Sequence, residues 1–258
     1  MPTQDVLITL RDQNPLVHCI TNYVAMNIAA NVVLAAGASP AMVHAPEEIA
    51  DFTPICGALT INIGTLSMPW LASMTTAATL ANTNNIPWVL DPVAHFISGY
   101  RKSAAQDLLA LRPTIVRGNA SEILALAGEA GAGKGADAGD SVDAAQGAAK
   151  ALSATFGTVV AITGPVDYVT DGEQEAHVSG GSPLMPQVTA LGCAQTALMG
   201  AYAASGSTFD AALGALAHFK VAGTAASKLA QGPGSFQMHF LDALASTQPD
   251  DLGQVISQ

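Results

Sequence analysis

At Met185–Met199 the chain reads MPQVTALGCAQTALM, a passage from a predicted strand into a predicted helix. Residues Gln187–Thr189 are predicted to be extended, and Cys193 is predicted to open an uncharged helix. The N–H groups at a helix start lack intrahelical acceptors, and the helix dipole adds partial positive charge there. The passage is therefore a candidate phosphate site, in which the thiolate of Cys193 would be stabilised. The alternative is a buried helix start with an inert thiol at Cys193, and an isolated Gly-Cys pair favours it.

Outward from this passage, strand-like and helix-like segments alternate along the chain. The predicted strands are Val17–Ile20, Ala41–Val43, Ala58–Ile63, Trp88–Asp91, Thr114–Val116, Thr158–Thr163, Tyr168–Thr170 and Gln187–Thr189. The predicted helices are Tyr23–Ala36, Pro69–Asn82, Ser103–Leu111, Ala120–Leu126, Ser141–Phe156, Cys193–Ala203, Phe209–Leu229 and Gly234–Leu244. Asp171-Gly172 is predicted to turn a short hairpin into Glu175–Val178.

This alternation predicts an α/β fold with three layers, in which helices cover both faces of a mostly parallel central sheet. Its length of 258 residues suits one large domain, and we expect a single domain over 1–258. Ligands of such sheets bind beyond the carboxyl ends of the strands. The polar residues that directly follow the predicted strands are therefore the candidates for function.

The composition restricts the possible partners. Half of the residues are hydrophobic, 11% are charged, and the mean hydropathy is +0.35, so we expect surface to be hidden in an oligomer as well as in a core. A net charge of −11 argues against nucleic-acid binding. No clean apolar run of about 20 residues predicts a membrane span, and no signal peptide is recognised. Three widely spaced cysteines indicate neither a disulfide framework nor a zinc site, which favours a reducing cytoplasm.

Two carboxyl groups and an arginine follow predicted strands in the middle of the chain. Asn119 is a good N-cap, and Glu122 stands where a capping-box residue would stand. The functional interpretation places Arg117 on a phosphate and Glu122 near a hydrated Mg²⁺, whereas the structural one is the cap alone. Asp91 ends the strand Trp88–Asp91 and either caps a turn or completes a carboxylate pair with Glu122. Thr163 also ends a strand and is a candidate hydrogen-bond donor to a phosphate or ribose, although a turn at Thr163-Gly164 explains this residue equally well.

A glycine-rich segment at 128–139 imitates a phosphate-binding P-loop. Gly128, Gly133 and Lys134 match the pattern, but Gly135 stands where a serine or threonine would ligate magnesium. The segment also follows a predicted helix rather than a strand. We therefore interpret it as a connection and not as a P-loop.

The early strands end in small and neutral residues. Asn22 follows Val17–Ile20, Met42 offers a soft apolar wall for a flat ring, and Gly64 allows a close backbone approach. Plain core packing is the other interpretation of Met42. Together these residues predict a small, nearly uncharged substrate pocket.

Taken together the motifs resemble hydroxyethylthiazole kinase, a family of the ribokinase-like superfamily. The segments that carry the resemblance are PLVHCITNYV (Pro15–Val24), GASPAM (Gly37–Met42), NIGTL (Asn62–Leu66), LDPV (Leu90–Val93), RGNASEI (Arg117–Ile123), TGPVDYVTDG (Thr163–Gly172), GC (Gly192-Cys193) and GPGSF (Gly232–Phe236). They span nearly the whole chain. The resemblance implies a homotrimer with active sites at subunit interfaces, which uses ATP and Mg²⁺ to phosphorylate 4-methyl-5-(2-hydroxyethyl)thiazole in thiamine salvage.

The resemblance also implies roles for individual residues. Arg117 and Thr163 correspond to ATP-binding positions, and Asp91 and Glu122 to positions that hold the magnesium-nucleotide. Met42 and Ala190 correspond to the thiazole site, with Asn22 and Gly64 nearby. Cys193 stands where ribokinases carry a catalytic aspartate.

The chain departs from the family pattern at two positions near the predicted site. Ala190-Leu191 replaces a glycine and a threonine or alanine at the hinge, and Ala94-His95-Phe96 replaces a Gly-Ala-Gly run. Both changes add side chains where glycine permits positive φ or close approach. We hypothesise that they are paired and reshape the phosphate end, which would reduce or redirect activity.

Other functions remain open at this stage. A ribokinase-like kinase for another small heterocyclic alcohol has the same sequence features, and a pseudokinase that binds ligand without catalysis would tolerate the lost glycines. An ADP-dependent dehydratase of related fold is weakened by Gly-Cys where an acidic residue would be needed.

Overall fold

A computed structural model describes residues 3–129 and 140–257. Its helices are α1 (Thr3–Gln13), α2 (Met26–Ala36), α3 (Pro46–Phe52), α4 (Met68–Thr83), α5 (Gly99–Ala110), α6 (Ala120–Leu126), α7 (Val142–Phe156), α8 (Leu191–Ala203), α9 (Thr208–Ser227), α10 (Pro233–Ser246) and α11 (Pro249–Leu252). Its strands are β1 (Leu16–Ile20), β2 (Ser39–Ala41), β3 (Ala58–Asn62), β4 (Trp88–Asp91), β5 (Ile115–Asn119), β6 (Val159–Thr163), β7 (Asp167–Thr170), β8 (Glu175–Val178) and β9 (Ile256–Ser257).

The strands form one sheet in the order β2-β1-β3-β4-β5-β6-β7-β8-β9. Neighbouring strands from β2 to β6 are parallel, and those from β6 to β9 are antiparallel. The predicted hairpin is confirmed, since Thr170 pairs with Glu175 across a turn that contains Gly172 at φ 96°. The parallel part places the carboxyl ends of β1, β3, β4, β5 and β6 along one edge of the sheet.

Alternate residues of each strand enter separate cores on the two faces of the sheet, as the pleat requires. In β6, Val159 and Ala161 belong to the core formed with α1, α2, α8, α9, α10 and α11, whereas Val160 and Ile162 belong to the core formed with α3 to α7. The predicted three-layer fold is confirmed. Helix α8 is buried along almost its whole length, which accounts for the absence of charge in that part of the sequence.

The predicted strand Gln187–Thr189 is wrong. Met185–Gln187 forms a 3-10 turn that contains Pro186, and the amide of Val188 donates to the carbonyl of Met185 at 3.2 Å. Proline fixes φ and has no N–H for a ladder.

Several boundaries also differ from the predicted ones. Helix α8 begins at Leu191 rather than at Cys193, and β2 covers Ser39–Ala41 rather than Ala41–Val43. Helices α1, α3 and α11 and strand β9 were not predicted. The buried residues Val6, Leu7 and Leu10 have helical spacing and could have indicated α1.

The glycine-rich segment interpreted as a connection lies outside the described residues from 130 to 139. The described part confirms that it follows helix α6, with Gly128 at φ 87°. No helix in the described ranges has the length and apolar character that crossing a membrane requires.

Candidate active site

Four polar side chains meet where β3, β4, β5 and β6 end. Asn62, Asp91 and Thr163 are the last residues of β3, β4 and β6, and Arg117 lies two residues before the end of β5. The parallel register pairs Asn62 with Asp91 and Asn119 with Thr163. The sequence prediction that these strand ends converge is therefore confirmed in the structure.

Asp91 is fully buried and forms the centre of this cluster. Its Oδ2 accepts hydrogen bonds from Asn62 Nδ2 at 2.8 Å and Thr196 Oγ1 at 2.6 Å, and Arg117 lies 3.4 Å from it. Burial raises the pKa of Asp91, and Arg117 and the bond from Thr196 oppose that rise. Within the described residues its Oδ1 is buried without a hydrogen-bond partner. One carboxylate oxygen thus remains available for a ligand or a water molecule.

Arg117 joins the cluster to the start of α8. Its terminal nitrogens donate to Thr163 Oγ1 at 2.6 Å and contact Gln195 Oε1 at 3.5 Å. A Cβ added at Gly192 would lie 3.1 Å from the nearer guanidinium nitrogen, so glycine permits this approach. An always-charged guanidinium and the first turn of a helix therefore face the same space, as anion binding requires.

Glu122 forms the predicted capping box at the start of α6. Asn119 Oδ1 accepts from the amide of Glu122 at 2.9 Å, and Glu122 Oε2 accepts from the amide of Asn119 at 2.8 Å. Its other oxygen accepts from the amide of Ala94 at 2.9 Å. Burial, and then the charge of Asp91, raise the pKa of Glu122 to about 7. The structural interpretation is thus correct, and the carboxyl group also lies within the electrostatic reach of Asp91.

Cys193 lies in the first turn of α8, but its environment opposes ionisation. Burial, and then the charge of Asp91, raise the pKa of its thiol to about 11. The expectation of a stabilised thiolate is therefore wrong, because desolvation and a nearby carboxylate outweigh the field of the helix start. Its Sγ accepts a hydrogen bond from Asn22 Nδ2 at 3.4 Å.

A network of neutral amides surrounds the thiol. Asn22 Nδ2 also donates to Asn62 Oδ1 at 2.8 Å, and the same Oδ1 accepts from the amide of Gly64 at 3.0 Å. A Cβ at Gly64 would lie 2.5 Å from Asn22 Nδ2, so this contact requires glycine. Asn22 Oδ1 accepts from the amides of Val24 and Ala25 ahead of α2, which fixes its orientation. Asn22, Gly64 and Cys193 therefore form one neutral cluster, and the small uncharged substrate pocket stays a prediction.

Ala94 and Ala190, which stand where the resemblance led us to expect glycine, both adopt left-handed backbone conformations. Ala94 has φ 47° and Ala190, the N-cap of α8, has φ 60°. Non-glycine residues pay about 1–2 kcal/mol in this region. The helix nevertheless starts here, since the amide of Ala194 donates to the carbonyl of Ala190 at 3.0 Å.

Met42 is the one proposed site residue that the described contacts leave apart from the cluster. It follows β2 at the edge of the sheet, and its carbonyl accepts from His44 Nδ1 at 3.1 Å. Its half-buried side chain packs against the core formed with α2 and α8.

Sequence reasoning missed three residues that support the cluster. Thr196 lies three residues after Cys193, a helical spacing that could have indicated it. Gln195 contacts Arg117. Arg101 of α5 donates to the carbonyls of Gly64, Ala94 and Val93, and it carries no sequence signal because it lies in an otherwise ordinary helix.

An open groove of about 400 Å³ adjoins the hinge. It is lined by the start of α2, the segment before α8 and the start of α10, including Val24, Ile28, Val188, Thr189 and Pro233. Its wall mixes apolar side chains with the polar ones of Asn27, Gln187 and Gln237.

Comparison with known sequences decides the family of the chain. The hydroxyethylthiazole kinase family matches residues 7–250. The chain belongs to the hydroxyethylthiazole kinase family. A member of this family from Roseobacter denitrificans is 81% identical over 256 residues, which cover 99% of this chain and 100% of the relative. A hydroxyethylthiazole kinase from Rhizobium etli is 57% identical over 249 residues, which cover 96% of each protein.

Solved structures support the same family and show which fold the chain has. The hydroxyethylthiazole kinase of Pyrococcus horikoshii superposes with a TM-score of 0.91 at 36% identity and covers 99% of this chain and 97% of its own. A Bacillus subtilis pyridoxal kinase, solved as an ADP complex, has a TM-score of 0.62 at 17% identity over 80% of this chain and 90% of its own. That second likeness shows the fold alone, which is ribokinase-like.

Proposed function

We propose that this kinase transfers the γ-phosphoryl group of ATP to the primary hydroxyl of 4-methyl-5-(2-hydroxyethyl)thiazole, in thiamine biosynthesis or salvage. The residues 1–258 act as one ribokinase-like domain in this proposal. The observation that carries it is the meeting, at the start of α8, of the charged Asp91–Arg117–Thr163 cluster with the neutral Asn22–Cys193 cluster. The names of the relatives supply the identity of the acceptor.

The charged cluster is the proposed nucleotide end. Arg117 and Thr163 bind the phosphates of ATP, and the amides in the first turn of α8 stabilise the phosphoryl group as it moves. Phosphoryl transfer has a loose transition state, so positioning and charge neutralisation supply most of the catalysis. These are the contributions that a guanidinium and helix-start amides can make.

Asp91 and Glu122 would hold Mg²⁺ together with the nucleotide. The unpartnered Oδ1 of Asp91 supports this assignment, because Mg²⁺ takes one or two carboxylates and keeps several waters. Both oxygens of Glu122 already accept backbone amides, so Glu122 would act on the ion through a bound water. Among the described residues no group of three or more His, Cys, Asp or Glu could hold a metal ion. When bound, the ion neutralises charge on the phosphates.

The neutral cluster is the proposed acceptor end. Because the pKa of Cys193 is raised to about 11, the sulfur stays a thiol at neutral pH and orients the acceptor hydroxyl instead of deprotonating it in advance. The hydroxyl oxygen forms the new bond to phosphorus on one side while the bond to the β-phosphate oxygen breaks on the other, and the hydroxyl proton passes to an oxygen of the transferred phosphoryl group. Gly64, Ala190 and Met42 complete the binding surface for the ring.

We also propose a cytoplasmic homotrimer with active sites at subunit interfaces. The side chains of Tyr23 and Val24 are exposed by 68% and 57% beside Asn22, and Met68 is exposed by 78%. Apolar side chains exposed next to a site favour burial by another subunit. Sedimentation would test this: a trimeric mass is expected, and a monomer with full activity would contradict it.

A coupled assay of ADP release tests the function directly. We expect ADP to form only when both ATP and the thiazole alcohol are present. Turnover with pyridine or pyrimidine alcohols that exceeds turnover with the thiazole would favour a kinase for another acceptor. ATP binding without any product would favour a pseudokinase.

A further inference from the structure

A buried ion pair lies directly behind the nucleotide end and contributes nothing to the chemistry described above. Lys220 of α9 lies 3.2 Å from Asp167 Oδ1, and the two side chains are 6% and 2% exposed. Asp167 is the first residue of β7. Its Oδ2 is buried and has no hydrogen-bond partner in the described part of the chain.

The pair holds the turn that follows Thr163. Lys220 Nζ donates to the carbonyls of Gly164 at 2.6 Å and Pro165 at 3.0 Å. Asp167 Oδ1 accepts from the amide of Gly164 at 2.9 Å. Every polar group of Gly164 is therefore bound by one member of the pair, immediately after the threonine that contacts Arg117.

The same lysine also fixes a second segment. Its backbone carbonyl accepts from the amide of Gly181 at 3.1 Å, and Thr224, one turn further along α9, accepts from the same amide at 2.8 Å. Residues 181–190 lead from this contact to the start of α8. One position of α9 therefore ties together the two segments that flank the phosphate end.

Stability alone does not explain such a pair. Desolvation of two charges offsets most of their attraction, and an apolar pair of similar volume is often as stable. What an apolar pair does not supply is a set of directed hydrogen bonds to the carbonyls and amide of the turn.

We propose that Lys220 and Asp167 are positioning residues that hold the Thr163–Asp167 turn in the shape that binds the nucleotide. This inference rests on the proposed function, because it assigns ATP to that turn. It predicts an effect on nucleotide affinity that is separate from the effect on folding. It also predicts little effect on the acceptor, whose site is built from β1, β3 and α8.

Two variants separate positioning from stability. Lys220→Met leaves Asp167 unpaired, so both the melting temperature and the affinity for ATP should fall. Combining Lys220→Met with Asp167→Leu removes both charges and should recover much of the melting temperature. The KM for ATP should nevertheless stay raised by about tenfold or more in this double variant, while the KM for the thiazole alcohol stays within about threefold.

A matched control comes from another face of α9. Tyr202 and His218 form a buried hydrogen bond of 2.9 Å at the far end of α8. Tyr202→Phe should lower the melting temperature and leave both KM values unchanged. Asp167→Asn keeps the size of the side chain and an acceptor for the amide of Gly164 but removes the charge. If the double variant does not fold, an increase in the KM for ATP of Asp167→Asn would support the proposal.

The proposal is overturned if the double variant regains both stability and the wild-type KM for ATP, or if the two KM values rise in parallel. Calorimetric titration with Mg²⁺-ATP, without acceptor, keeps the test independent of the acceptor assignment. A wild-type protein that binds ATP but does not phosphorylate the thiazole would contradict the proposed function. The role of the ion pair would then be decided by the ATP affinities of the wild type and the variants in the titration.

Discussion

The proposed nucleotide end of the site is built from charged side chains, whereas the proposed acceptor end is built from amides and a thiol. Asp91 and Arg117 lie 3.4 Å apart at the first, and Asn22 and Cys193 lie 3.4 Å apart at the second. Both ends converge on the first turn of α8. An anionic substrate and an uncharged alcohol need such different surroundings, so substitutions at the two ends should change different kinetic constants.

Removing charge at the nucleotide end should have the largest effect. Asp91→Asn keeps the shape but leaves Arg117 without its buried counter-charge and removes a carboxylate from the nucleotide. We expect kcat to fall by about 100- to 1,000-fold, as for other preorganised electrostatic groups. Steady-state kinetics would measure this.

Thr196→Val is the control for Asp91→Asn. It removes one hydrogen bond of 2.6 Å to Asp91 and keeps the charge. Its effect should be at least about tenfold smaller than that of Asp91→Asn. Equal losses in the two variants would mean that geometry, not charge, distinguishes this end.

At the acceptor end, Cys193→Ala should lower kcat by about 100-fold, because the group that orients the hydroxyl is lost. Cys193→Asp should retain or exceed wild-type activity, since an aspartate can both orient the hydroxyl and accept its proton. Equal activity of the wild type and the alanine variant would remove Cys193 from the chemistry.

The pH dependence of folding sharpens the comparison further. The pKa of Glu122 is raised from 4.5 to about 7, so the folded protein keeps a proton that the unfolded chain releases. The resulting stabilisation is present below about pH 4.5 and is lost as the pH rises through about 7. Relative to Glu122→Gln, the unfolding free energy of the wild type should therefore fall by up to about 3 kcal/mol over this interval.

Urea unfolding of the wild type and Glu122→Gln between pH 4.5 and 8 would measure this difference. Two parallel curves would show that Glu122 titrates normally. Asp171→Asn is a suitable control, because hydrogen bonds in its turn hold the pKa of Asp171 below its usual value. Its carboxyl group is therefore ionised in both the folded and the unfolded chain over this interval, and the variant and the wild type should give parallel curves.

The smallest expected effect is at the hinge. Ala190→Gly relieves a left-handed conformation and should stabilise the protein by about 1 kcal/mol, or raise the melting temperature by about 2–4 °C. We also expect kcat/KM for the thiazole alcohol to change, since this residue starts α8. Ala197→Gly, in the helix interior, should destabilise instead, and an unchanged kcat/KM for Ala190→Gly would remove the support for a reshaped phosphate end.

The sequence was sufficient for the sheet and for most of the site because both follow from strand ends. Trp88–Asp91 and Ala120–Leu126 were predicted with their observed bounds, and Arg117 and Thr163 meet as expected. The failures have local causes. Pro186 turns the predicted strand before α8 into a 3-10 turn, and the burial of Cys193 reverses the expected shift of its pKa.

Long-range contacts were beyond the reach of the sequence pattern. Arg101 binds backbone carbonyls that are 7, 8 and 37 positions away along the chain. Lys220 binds backbone carbonyls that are 56 and 55 positions away. Their neighbouring residues do not indicate these contacts. Every residue has a backbone carbonyl, so the residue type of the acceptor gives no signal in the sequence. Such residues become visible only once the tertiary fold has brought the segments together.

A crystal structure with the thiazole alcohol and a non-hydrolysable ATP analogue tests the division of the site most directly. The account predicts the terminal phosphate beside Arg117 and the first turn of α8, with the acceptor hydroxyl within hydrogen-bond distance of Cys193 Sγ. A nucleotide bound at the Asn22–Gly64 end, or a heterocycle whose hydroxyl lies away from Cys193, would contradict it.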